Sequence, residues 1–166
     1  MTSGSPFSAP STWTSAGNRH APTRYANYVQ VHETRMQQFL RGEFVFSDSV
    51  TFSAPAGGYI PVAGEIQCLG GIRIAVNKTL KILSGQGANA RVQTCEYHYN
   101  VFVRDQGNVF RYDSPHRHRP YHHVHRFDFF KTWSQTGIEV VPTVNAIPTL
   151  SDVINEAREL YYEYEF

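Results

Sequence analysis

Cysteine is scarce in this 166-residue chain, where Cys68 and Cys95 are the only two. They lie far apart and form no CxxC pair, which excludes a zinc ribbon and a thioredoxin-like dithiol. They read as reduced core or strand residues of a cytosolic protein. Long apolar runs are also missing, since no stretch approaches the roughly 18–20 residues that a helical membrane span needs. Met1 to Pro22 has neither the apolar core nor the basic leader of a signal peptide, so the expectation is a soluble cytoplasmic protein with no membrane partner. Charge of one sign is lacking too, with 15 Lys and Arg against 14 Asp and Glu. Finally, there is no G-x-G-x-x-G, no Walker loop, no G-x-S-x-G elbow and no H-E-x-x-H. Those absences remove dinucleotide, P-loop, hydrolase-elbow and zincin chemistry, and Gly85-Gln86-Gly87 is read as a turn.

What remains is a chain of one-domain size with 41% apolar residues, enough to bury a core without disulfide or metal staples. Met1 to Pro22, rich in Ser, Thr, Pro and Gly, reads as a flexible arm that could dock through Phe7 and Trp13. Residues 23–166 read as a single domain. Tyr25, Tyr28, Val29, His32, Met36, Phe39 and Leu40 recur at helical spacing over Thr23 to Arg41, with Gly42 as the stop. His32 in that stripe is taken as a packing residue.

From Glu43 the period becomes alternating. Phe44 and Phe46, then Val50 and Phe52, predict a short strand pair or one bent strand. Tyr59 to Leu69 follows, interrupted by Pro61 and Gly64. Ile72 to Val76, continuing to Leu83, is a strong strand, and Ser84 to Ala90 a break. In Val92 to Arg104, Gln93, Cys95, Tyr97, Tyr99, Val101 and Val103 share one face, opposite Thr94, Glu96, His98, Asn100, Phe102 and Arg104. Asp105-Gln106-Gly107-Asn108 is a hairpin turn returning through Val109 to Asp113. His122 to Phe130 is another strand candidate, followed by a polar break at Thr132 to Gly137 and an extended run Ile138 to Pro142. Thr149 and Asp152 form a variant capping box, and Leu150, Val153, Ile154, Ala157, Leu160, Tyr161 and Tyr164 form the stripe of a C-terminal helix. The expected class is α+β, a curved antiparallel sheet packed by an N-terminal and a C-terminal helix.

Five of the eight histidines and four arginines fall between Phe110 and Arg126. Imidazole changes charge near neutral pH, and guanidinium offers a planar fork of donors. Cleavage of RNA needs a proton taken from a 2'-hydroxyl, a stabilised phosphorane, and a proton returned to the leaving oxygen. His116, His118, His123 and His125 are the candidate proton carriers, with Arg111 and either Arg117 or Arg119 on the phosphate and Tyr112 or Tyr121 stacking a base. Arg126 joins the substrate-binding set, and Asp113 is expected to orient a histidine or hold the loop. The same residues could form a solvated turn, with Arg111 and Asp113 pairing only with each other. His116-x-His118 and His123-x-His125 could also grip a divalent ion. Pro115 and Pro120 disturb the first pair and the arginines oppose a cation, so no metal and no cofactor is assigned from sequence.

Tyr97-His98-Tyr99, Phe110-Arg111-Tyr112-Asp113, His116-Arg117-His118 and His125 together resemble the TumE family of small toxins from prokaryotic toxin–antitoxin pairs. That family carries a Y-x-Y strand, a turn, an [FV]-R-Y-D-N strand end and a His-rich loop. The resemblance covers about Phe44 to Phe130; the chain has Ser114 where the family usually has asparagine, an N-terminal extension and an insert between Phe130 and Pro148. It implies a toxin acting on RNA, expected here as a metal-independent endoribonuclease, with a helix-turn-helix antitoxin as partner. The alternatives are a non-catalytic RNA- or protein-binding subunit of a defence complex and a His-ligated metal-dependent nuclease. The oligomeric state is open, a homo-oligomer included.

Overall fold

Alternating residues over the middle of the chain build one antiparallel sheet, seen in a computed structural model that describes residues 20–165. Its strands are β1 (Thr23–Arg24), β2 (Val45–Asp48), β3 (Thr51–Phe52), β4 (Tyr59–Cys68), β5 (Ile72–Ser84), β6 (Arg91–Val103), β7 (Gly107–Asp113), β8 (His123–Phe127) and β9 (Gln135–Val140). They run in the order β2-β4-β5-β6-β7-β8-β9, with β3 paired to β4 and β1 to β6. The sheet is not closed into a barrel. Among the described residues the two α-helices are α1 (Tyr25–Arg41) and α2 (Leu150–Tyr164). Among the described residues no helix is long and apolar enough to cross a membrane. Of the arm expected over Met1 to Pro22, the part before His20, with Phe7 and Trp13, lies outside the described residues.

The start of the first helix and the phase of one strand differ from the sequence reading. Thr23 and Arg24 pair with Val92 and Arg91 instead of opening the helix, and α1 starts at Tyr25, whose N–H donates to the Ala90 carbonyl at 2.8 Å. In β6, a bulge opposite Thr79 and Leu80 changes the phase of alternation. Thr94 and Val92, not Cys95 and Gln93, therefore continue the face of Tyr97 and Tyr99, and Cys95 is exposed.

The core occupies the helix side of the sheet. Ile66, Ile72, Ile74, Val101 and Phe110 from the strands meet Leu150, Val153, Ile154 and Ala157 of α2 and Met36 of α1 in one buried cluster. The Thr149–Asp152 capping box is present, each side chain accepting from the other's backbone N–H. His32 packs edge-on against Phe52, ring centroids 5.4 Å apart, and its Nε2 faces Asp48 at 3.6 Å.

Gly64 does not interrupt β4, because the missing side chain lets the Ser49–Val50 turn cross directly over it. A Cβ there would lie 2.4 Å from the Ser49 carbonyl oxygen. Gly64→Ala is accordingly expected to cost about 2 kcal/mol or more by forcing backbone apart, read as a lowered urea midpoint. An unchanged midpoint would mean the crossing is slack.

Candidate functional site

Alternation gives the sheet a second face, and β6, β7 and β8 place their polar residues there. Cross-strand pairing sets His98 opposite Asp113, then Asp113 opposite His123 and Arg111 opposite His125. Side chains that pair directly share one face. Four histidine and arginine side chains thus converge on one carboxylate.

Asp113 is 2% exposed. Its Oδ1 accepts from His98 Nδ1 at 2.8 Å and its Oδ2 from Arg111 Nε at 2.9 Å. Oδ2 also lies 3.1 Å from His125 Nε2 and 3.5 Å from His123 Nε2. Burial alone would raise this carboxyl's pKa, but the His98 hydrogen bond and the Arg111 charge outweigh burial and hold it below the usual range. Asp113 is therefore an anion at neutral pH.

The outer nitrogens of the cluster's two buried histidines are anchored. His123 Nδ1 donates to the Tyr121 carbonyl at 2.8 Å, and His125 Nδ1 to the Gln135 amide oxygen at 2.9 Å. A carbonyl only accepts, so the proton of neutral His123 sits on Nδ1 and a bare Nε2 points inward. Burial lowers the pKa of His123, favouring that neutral form.

The His-rich loop closes over this cluster. Ser114 starts it: its N–H donates to the Tyr97 carbonyl, and its Oγ accepts from the Tyr97 N–H, both at 3.0 Å. A short hydroxyl thus ties the loop to β6. His116 and Arg119 exchange backbone hydrogen bonds at 3.0 Å to form a tight turn. The turn sets the exposed His116 with its ring centroid 5.2 Å from that of His123 and 6.2 Å from that of His118. Arg117 and His118 are exposed and Arg119 half-buried; Arg119 Nη1 donates to Tyr121 Oη at 3.4 Å.

Of the candidates named from sequence, Arg111, Asp113, His123 and His125 form the buried cluster, and His116, Arg117, His118, Arg119 and Tyr121 form the loop beside it. Tyr112 and Arg126 do not join them. They pair with residues of the core-facing rows and both bond Glu156 of α2, Tyr112 Oη at 2.8 Å. Alternation explains this, because each is one residue out of step with the cluster. Both side chains tie their strands to α2.

Two contributors do not stand out in the sequence. His98 reads there only as a polar-face residue, yet it holds Asp113 and keeps a side chain 46% exposed. Its cross-strand position in a recognised hairpin was the available signal. Gln135 falls within the expected polar break, but it begins β9 and pairs with Phe127. Gln135-Thr136-Gly137 carries no apolar alternation from which a strand could be read.

Chemically, the arrangement offers an orienting carboxylate, a partly exposed histidine bonded to it, two buried imidazoles with inward Nε2 atoms, and arginines around them. Comparison of the chain with protein-family models, with curated proteins and with solved structures gives no match.

Proposed function

We propose that this chain is a toxin of the TumE type that cleaves RNA at the Asp113 cluster. The observation that carries the reading is the convergence of Arg111, Asp113 and His125, residues of the resembled motif, with His98 on one buried carboxylate beneath a loop of exposed His and Arg side chains. Asp113 fixes the His98 ring through Nδ1, which leaves Nε2 to take the 2'-hydroxyl proton. Arg111, with donors beyond those turned to Asp113 and His125, and the loop residues Arg117 and Arg119 suit the phosphate. His116 or His118, both exposed, suit protonation of the leaving 5'-oxygen. A partner that covered this basic loop would block the site, which is the role proposed for an antitoxin protein.

The test is incubation of the purified full chain with total RNA and with tRNA between pH 5.5 and 8.5. Wild-type protein should cut, and His98→Ala should cut about a hundredfold or more slowly, the range of one acid–base group. His98 lies at the surface end of the cluster, so its variant should keep the fold. Binding without cleavage, weakening steeply with salt, would replace this reading with a non-catalytic RNA-binding module.

A further inference from the structure

The cluster contains a contact that no arrangement of protons satisfies. His125 Nε2 lies 3.1 Å from Arg111 Nη2 and also 3.1 Å from Asp113 Oδ2. Guanidinium has only hydrogens to offer and carboxylate only lone pairs. A bare Nε2 satisfies Arg111 and opposes Asp113; a protonated Nε2 does the reverse. His123 adds a second anomaly: its Nε2 is fully buried, 3.5 Å from the same Oδ2, and has no hydrogen-bond partner. The Tyr121 carbonyl has already taken the only proton of the neutral ring. Buried polar atoms left unpaired in this way are uncommon and costly.

From this geometry we propose that Asp113, His123 and His125 bind a divalent transition-metal ion. Three lone pairs then face one centre: Asp113 Oδ2, His123 Nε2 and His125 Nε2, the candidate ligand atoms all lying within 4.8 Å of one another. Zinc holds nitrogen and oxygen ligands at roughly 2.0–2.2 Å, which sets neighbouring ligand atoms about 3–3.5 Å apart in tetrahedral geometry. The two distances to Oδ2, 3.1 and 3.5 Å, fall in that range. The outer shell is in place as well, since the Tyr121 carbonyl and Gln135 amide fix each ring in the tautomer that presents Nε2. Two imidazoles and one carboxylate select zinc, manganese, iron or cobalt over magnesium or calcium, which prefer oxygen alone. Three protein ligands leave a position for water or a substrate oxygen.

The arginines argue against a cation when read from sequence alone, and Arg111 is indeed adjacent. Its charge is offset by Asp113, to which Nε stays bonded at 2.9 Å. Only the Nη2 contact to His125 has to open on loading, because that lone pair goes to the ion. The Nη2 hydrogens are then released toward whatever the metal binds, which suits an anionic oxygen. His123 and His125 act as ligands in this state, and the proton steps fall to His98, His116 and His118.

The inference stands apart from the RNA reading, because it is tested without RNA. Untagged full-length protein, stripped with chelator, is titrated with Co2+ and followed by visible absorption, then with Zn2+ by calorimetry. One ion per chain is expected, with Zn2+ displacing Co2+ and excess Mg2+ displacing neither. His123→Ala and His125→Ala should abolish the signal. Gln135→Leu, on an exposed strand residue that is not a ligand, should weaken binding roughly 10–100-fold, and His118→Ala should leave it unchanged. Circular dichroism separates lost binding from lost folding, and Gln135→Leu carries the test should the ligand variants unfold. Absence of binding at millimolar metal, or binding that depends on His118 but not on His123, His125 and Gln135, would overturn the site. Tight binding with no RNA cleavage would leave it standing and remove the ribonuclease reading.

Discussion

Asp113→Ala is expected to lower the unfolding free energy by about 3–5 kcal/mol, the cost of removing one partner from a buried ion cluster. His98, Arg111, His123 and His125 all turn toward this one carboxylate, within 2.8–3.5 Å of its oxygens. Arg111, with a side chain 38% exposed, can recover by turning to water. The void left by alanine would lie against the buried His123 and His125 rings, which cannot reach water, and the bond that orients His98 would be lost. Asp113→Asn keeps the volume and one acceptor oxygen, so its loss should be clearly smaller, while either change removes the anion. Urea unfolding at pH 7 with circular dichroism measures both. A loss under about 1 kcal/mol for the alanine variant would mean that the cluster is wetter than its burial indicates.

Acid is expected to remove a comparable amount of stability before the carboxylates titrate. His122 is buried against Tyr97, stacked at a centroid distance of 5.6 Å, with Nδ1 2.7 Å from the Tyr97 hydroxyl. Burial first, then the nearby His20 and His123, lower its pKa from 6.5 to about 4. The folded protein therefore resists a proton that the unfolded chain accepts. Its contribution is fully present above the unfolded pKa and is lost as pH falls from 6.5 toward about 4. A shift of that size corresponds to roughly 3 kcal/mol. Asp113 acts in a lower window, since its folded pKa is depressed and its contribution disappears only as pH falls through and below the carboxylate range. Urea midpoints at half-unit steps from pH 7.5 to 3.5 should thus decline in two stages. His122→Gln, which keeps a polar group beside Tyr97, should flatten the first stage and leave the second. A first stage of equal slope in that variant would assign it to other histidines.

Much of the frame was readable from residue spacing. Tyr97, Tyr99 and Val101 announce a half-buried strand, and Leu150, Val153, Ile154 and Ala157 an amphipathic helix, because burial on one face imposes a period on the sequence. The density of His and Arg after Asp113 marked the region of the candidate cluster for the same local reason. Gln135 and His98 stayed hidden, because one lies in a strand without apolar alternation and the other looks like any polar-face residue until its partner strand is aligned.

That alignment is what only the tertiary structure decided. The hairpin pairs Phe102 with Asn108 near its turn but Val101 with Phe110 beyond it, so β7 carries one extra residue at Val109. Counted evenly from the turn, His98 would face Tyr112 and the carboxylate would point into the core. The extra residue turns every side chain after it to the other face, placing Arg111 and Asp113 beside His98 and Tyr112 under α2. The composition of the loop and the type of each element are therefore local properties, set by side-chain chemistry and period. The buried carboxylate with its ring of imidazoles is a property of register, and register follows from how the whole sheet packs against its helices.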